Sequence, residues 1–216
     1  MKINKTIIAL LATVLIFSYG NKVYSQEIKI GNQTWSTKNL DVSTFRNGDT
    51  IPEAKIATEW EKAGDEGKPA WCYYDNDPAN GKKYGKMYNW YAVSDLRGLA
   101  PSGWHVPSNE EWTTIIDFLG GEELACTKMK SASGWEDFEG KKSNGNNTSG
   151  FAGMPGGYRY LFHGTFNNLG SSGSWWSSTS GESSDAWYIG LHNDETKVMR
   201  FKYSWIYGYS VRCVKD

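Results

Sequence analysis

The sequence predicts an α+β fold in which a small, twisted antiparallel sheet carries about two helices and long ordered loops. Three observations support this. Aromatic residues are abundant, with 11 Trp, 13 Tyr and 8 Phe, and Gly reaches 24, a mixture that favours short strands and tight turns over a helical bundle. One helix signal, beginning at Ser108, is unmistakable. From Tyr158 onward the chain becomes a series of short apolar or alternating runs divided by turn residues, which reads as a β-meander.

Residues 1–25 read as a secretory signal. Lys2 and Lys5 form a positive start, Ile7 to Tyr19 is mostly apolar, and Val23-Tyr24-Ser25 places small residues before Gln26. The apolar run falls short of the roughly 20 residues of a permanent span, so no stable membrane insertion is expected after cleavage. Residues 26–216 are then expected as a single exported domain, secreted, periplasmic or at the cell surface. The leader holds three of the 23 basic residues (Lys2, Lys5, Lys22) and none of the 24 acidic ones, leaving a net charge of about −4. That balance, with bases scattered among acids, argues against nucleic acid as a partner.

Residues 28–45 predict a hairpin, with Ile28, Ile30, Trp35 and Leu40 around the turn signal Gly31-Asn32. Residues 46–86 are polar and rich in Gly, Pro and Asp, and read as a long ordered loop. Tyr84 to Val93 spaces its aromatics as a short helix. Ser108 with Glu111 forms a capping box, and Trp112, Ile115, Ile116 and Leu119 then share one face before Gly120-Gly121. Glu122 to Met129 suggests a second short helix, and residues 131–150 a polar loop. The expected strands are Tyr158–Phe166, Trp175–Thr179, Ala186–Leu191, Val198–Tyr203 and Tyr209–Val214.

Several ordered segments carry a resemblance. KYGKMYNWYAV (Lys83 to Val93), PSGWHVPSNEEW (Pro101 to Trp112), GGYR (Gly156 to Arg159), SWWSST (Ser174 to Thr179) and SVRC (Ser210 to Cys213) together resemble the Fibrobacter succinogenes major paralogous domain, over about residues 28–216. That family is similar to the C-type-lectin-like fold and to formylglycine-generating, sulfatase-modifying domains. The resemblance implies that the two chain ends meet as neighbouring strands under a loop-rich region.

The resemblance also bears on cysteine. Many relatives carry Cys where this chain has Ala100. In an exported protein the preferred pairing is then Cys72–Cys213 with Cys126 a buried thiol, and Cys126–Cys213 is the alternative. Formylglycine-generating enzymes use two nearby thiols close to the C-terminus. Here only Cys213 is present, so oxidase chemistry is not expected.

No catalytic residues are expected. The three histidines lie far apart, no G-x-S-x-G elbow is present, and Glu110/Glu111 belong to a helix start. Glu136/Asp137 read as solvated loop charge. No metal or cofactor is assigned, although calcium stays open at Asp75, Asn76, Asp77 and Asn80-Gly81, or at His192 to Glu195. The first set fails as an EF-hand because Lys86 holds the twelfth place. Turn chemistry accounts for both sets.

Ligand binding remains. Trp90, Trp104, Trp112 and one of Trp175/Trp176 are expected in the core. The candidate ligand-binding residues are Trp187, Arg200, Tyr203, Trp205 and Tyr207, because aromatics crowd the final strands and some must face outward. The plain alternative is that these rings cover a neighbouring layer. The expectation is a monomeric, non-catalytic module binding a glycan or a cell-surface protein, with a structural or assembly protein of the envelope as the alternative.

Overall fold

A computed structural model describes residues 27–216; the expected signal at 1–25 lies outside the described residues. The first strands, β1 (Glu27–Ile30) and β2 (Gln33–Ser36), form the expected hairpin, with Ile28 opposite Trp35. Gly31 makes the turn at φ +64°, a left-handed conformation that glycine adopts without cost.

The stretch expected to be one long loop contains structure. It folds as α1 (Ala57–Asp65), β3 (Trp71–Cys72), a 3-10 turn at Tyr74–Asn76 and α2 (Pro78–Tyr84). Helix α1 buries only Trp60 and Gly64, so it shows little apolar periodicity. Helix α2 is short, but its signals were present: Asp77 accepts from the Ala79 amide at 2.8 Å, Pro78 opens the first turn, and Gly85 follows the last.

The helix expected over Tyr84 to Val93 is instead β4 (Met87–Tyr88), paired with β3, followed by the single-turn α3 (Trp90–Val93). Asn89 separates them because its side chain caps α3 by accepting from Ala92 N at 3.1 Å. Strand β5 (Trp104–His105) leads into α4 (Asn109–Phe118), where the Ser108–Glu111 capping box forms as expected. Helix α5 (Glu122–Met129) follows, and residues 131–150 contain no helix or strand.

The remaining strands are β6 (Gly156–Arg159), β7 (Phe166–Leu169), β8 (Ser172–Ser180), β9 (Asp185–His192), β10 (Met199–Ser204) and β11 (Val214–Lys215). The run 158–166 is thus two strands, with His163 and Gly164 at positive φ in the turn between them. Residues 209–213 do not continue as a strand. Tyr209 and Ser210 each make one isolated bridge, to Tyr88 and Trp175, as the chain crosses from one sheet to the other.

One sheet has the order β1-β2-β11-β5 and another β10-β9-β8-β6-β7. Val214 pairs with both Trp35 and His105, which puts the N- and C-terminal strands side by side, as the family resemblance implied. The fold is therefore mixed α+β, with few helices and small sheets.

Strand β8 is buried on both faces. Trp175 packs with Ile115, Phe151, Ile189 and Leu191 beneath the helices, while Trp176 packs with Tyr88, Tyr188 and Tyr209 on the other side. Both tryptophans are fully buried, rather than one of the two, because strand alternation sends them into different cores. Trp90, Trp104 and Trp112 are buried as expected.

The expected Cys72–Cys213 disulfide does not form, nor does Cys126–Cys213. All three cysteines are free and buried. They sit in three different clusters: Cys72 beside Trp60 and Met87, Cys126 under α4, and Cys213 among Val106 and Val211. Three separate cores hold three separate thiols.

Candidate functional site

Strand alternation decides which candidate residues meet. On β10, Phe201 lies opposite Tyr188 and Tyr203 opposite Ala186, both on the tyrosine-rich side of the sheet. Arg200 lies opposite Ile189, on the helix side. Trp187 and Lys202 share that helix side, with the Lys202 ammonium 5.3 Å from the Trp187 ring centre. Arg200 reaches Asn109 at the start of α4 at 3.2 Å.

Tyr203 and Tyr207 do come together. Their rings meet edge to face at 5.1 Å, and Tyr203 also meets Tyr188 at 5.3 Å. Tyr207 is buried and meets Tyr160 at 5.5 Å, Tyr209 at 5.5 Å and Tyr158 at 6.1 Å. Tyr209 stacks on Tyr188 at 4.8 Å beneath them. Phe162 extends the group through Tyr160 at 5.7 Å, and Phe201 through Tyr188 at 6.5 Å. Tyr203 (40 %), Phe201 (46 %) and Phe162 (57 %) are the exposed members.

Trp205 stands beside this face but is already engaged. It stacks on Trp90 at 5.0 Å, meets Tyr91 edge-on, and donates its indole N–H to the Asp185 carbonyl at 2.6 Å.

The residues that sequence reasoning missed are Tyr158, Tyr160 and Phe162. The signal was present for Tyr158 and Tyr160, because residues two apart along extended chain share one side, whereas Phe162 lies in the turn after β6. Arg159 between them points the other way, into a buried site.

The buried tyrosine layer is uncharged, and at its edge Phe162 borders a hollow with Glu61 and Asp65. Burial pushes the phenols of Tyr188, Tyr207 and Tyr209 well above the ordinary tyrosine range, and the neighbouring phenols add to it. These hydroxyls stay protonated at any physiological pH. Such a surface offers ring faces and neutral hydroxyls to a ligand, and no acid–base pair or nucleophile.

Two of the four carboxylates considered for chemistry have structural work. Glu111 caps α4 and holds His105 at 2.7 Å, and Asp137 pairs with Lys142 at 2.7 Å. Asp77, considered for calcium, caps α2, and the Asn193 amide donates to the Glu136 carbonyl. Among the described residues, no group of three or more His, Cys, Asp or Glu is placed to hold a metal. Likewise none of the described helices is long and apolar enough to cross a membrane.

A family model described as the Fibrobacter succinogenes major domain matches residues 28–215. No curated protein and no solved structure matches the chain.

Proposed function

The chain belongs to the Fibrobacter succinogenes major domain family, and from that premise we propose that it is an exported, non-catalytic module that binds a neutral glycan through its tyrosine face. The observation that carries this is the exposed set Tyr203, Phe201 and Phe162, laid over a buried and uncharged layer of tyrosines. Sugar rings present apolar C–H faces and hydroxyl edges. Aromatic planes beside neutral phenols complement both without a charge to desolvate. The hairpin ends meeting in one sheet support a C-type-lectin-like architecture. Export rests on the leader at 1–25, and places the module in the periplasm, at the cell surface or outside the cell. No cofactor is part of this reading.

A glycan array tests it, run with and without EDTA so that any calcium requirement is visible. Tyr203→Ala is expected to weaken the bound glycans roughly five- to tenfold, about 1 kcal/mol for one lost ring contact, while leaving the melting temperature nearly unchanged. Trp205→Ala is expected to act through stability instead, because that ring is packed on Trp90. A blank array together with one envelope protein recovered by crosslinking would replace this reading with a structural or assembly role.

A further inference from the structure

A second site lies away from the tyrosine face. A cleft of about 460 Å³ opens between the segment after β2 and the C-terminal turn of α2, lined by Lys38, Asn39, Asp41, Lys82, Lys83 and Arg212 among others. That volume is within the ordinary range for small-molecule sites.

Its walls are fixed. Gly85 sits at φ +74°, and a Cβ there would stand 2.8 Å from the Leu40 carbonyl oxygen, so only glycine lets α2 end this close to the opposite wall. Asn39 ties the two sides, donating to the Tyr84 carbonyl at 2.7 Å and accepting from Trp175 and Arg212.

The charge of the cleft runs against that of the chain, which is −1 at neutral pH. Lys82 and Lys83 line it from α2 and Lys38 from the opposing segment, the Lys83 ammonium lying 4.7 Å from the Tyr84 ring centre, with Arg212 adding its field from the buried floor. The one acid in the lining, Asp41, already holds the buried Lys86 ammonium at 2.5 Å. Lysines in the last turn of a helix are ordinarily explained by the helix dipole. That account covers Lys82 and Lys83. It does not reach Lys38, which comes from another segment to the same cleft.

We propose that this cleft binds the anionic group of a sugar-sized ligand, a phosphate, sulfate or carboxylate whose oxygens are held by Lys38, Lys82 and Lys83. Lysines from two segments bordering one concave surface concentrate the field and can make charge-assisted hydrogen bonds to such oxygens. The site stands independently of the glycan reading of the tyrosine face.

The test is an amide NMR titration with inorganic phosphate, repeated with sulfate and glucuronate, at low and physiological salt. Saturable shifts confined to residues 37–41 and 81–85 are expected, weakening with salt. The triple variant Lys38→Ala/Lys82→Ala/Lys83→Ala should bind phosphate at least tenfold more weakly, and Tyr203→Ala should bind it unchanged. Lys38→Gln alone, which leaves the helix intact, should show a partial loss. Parallel arms with an acidic oligosaccharide and with anionic phospholipid vesicles distinguish a glycan source from a headgroup, either supporting the site. Shifts scattered over all lysines without saturation, or full binding by the folded triple variant, would overturn it.

Discussion

Replacing Arg159 with Met should destabilise the protein by about 3–5 kcal/mol, the combined cost of losing charge-assisted hydrogen bonds to buried carbonyls. The guanidinium is 1 % exposed and donates to three carbonyls: Ala54 at 2.5 Å, Gly164 at 3.0 Å and Lys55 at 3.3 Å. It lies 4.8 Å from the ring centres of both Trp60 and Phe166. Methionine keeps much of the volume, so packing changes little. What it removes is the donor set, leaving the buried Ala54 and Gly164 carbonyls without their charged partner. A hydrogen bond to a charged group contributes roughly 1.5–3 kcal/mol, so two buried ones account for about 3–6 kcal/mol and cover the range. The bond to Lys55, at an exposed residue, adds least. In a chain of this size the loss corresponds to roughly 6–20 °C in melting temperature. Arg159→Lys should restore one bond and recover about half of it. Thermal and urea unfolding, followed by near-ultraviolet circular dichroism of the adjoining tyrosines, provide the assay. A melting temperature for Arg159→Met within 2 °C of wild type would refute the assignment of stability to these carbonyls.

Two further predictions concern titration and thiols. His105 is clamped between Glu111 and Asp216, each at 2.7 Å; burial pulls its pKa down, but the two carboxylates outweigh this and leave it above the ordinary 6.5. A raised imidazole stabilises fully below its ordinary value and loses that contribution as pH rises through the raised one, so the melting temperature should fall from pH 6 upward. His105→Gln should flatten that fall, and an unchanged slope would dismiss the clamp. For the cysteines, burial pushes Cys72 up to about 11 and Cys213 up to about 12. Native protein should therefore resist a thiol reagent at pH 8, denatured protein should titrate three thiols, and intact mass should not change on reduction. A recovered crosslinked cysteine pair would contradict the separate cores.

The legible parts of the fold were those where periodicity and turn chemistry agree. Helix α4 carries its own cap and a four-residue apolar face, and β8 to β10 are short apolar runs marked off by turn residues. Helix α1 was hidden because its docking uses Trp60 and a glycine: Gly64 lies so close to Ile206 that a Cβ would stand 2.7 Å from it. Helix α2 was readable from Asp77, Pro78 and Gly85, but the same residues also spell a turn. In the candidate site, the expected residues Tyr203 and Tyr207 share one face and touch. Arg200 and Trp187 lie on the other face, and parity explains why: even and odd positions of one strand face opposite cores, and Arg200 sits one step out of phase with Tyr203. The cysteines were misjudged because an export signal says where a disulfide can persist, not which thiols approach each other.

The position of β11 sets an order of assembly. It lies between β2 and β5, which do not pair with each other, so before residue 214 arrives that sheet is only a hairpin and an isolated strand. The Cys213 amide donates to the Ser36 hydroxyl across 177 positions of sequence, and Arg212 reaches the Ser36 carbonyl across 176. Such distant pairings are slow to find and must wait for nearly all of the chain. A chain made from its N-terminus thus stays open along this seam until its last residues are present. The same wedge strand that completes the sheet works as a latch set at the end of synthesis.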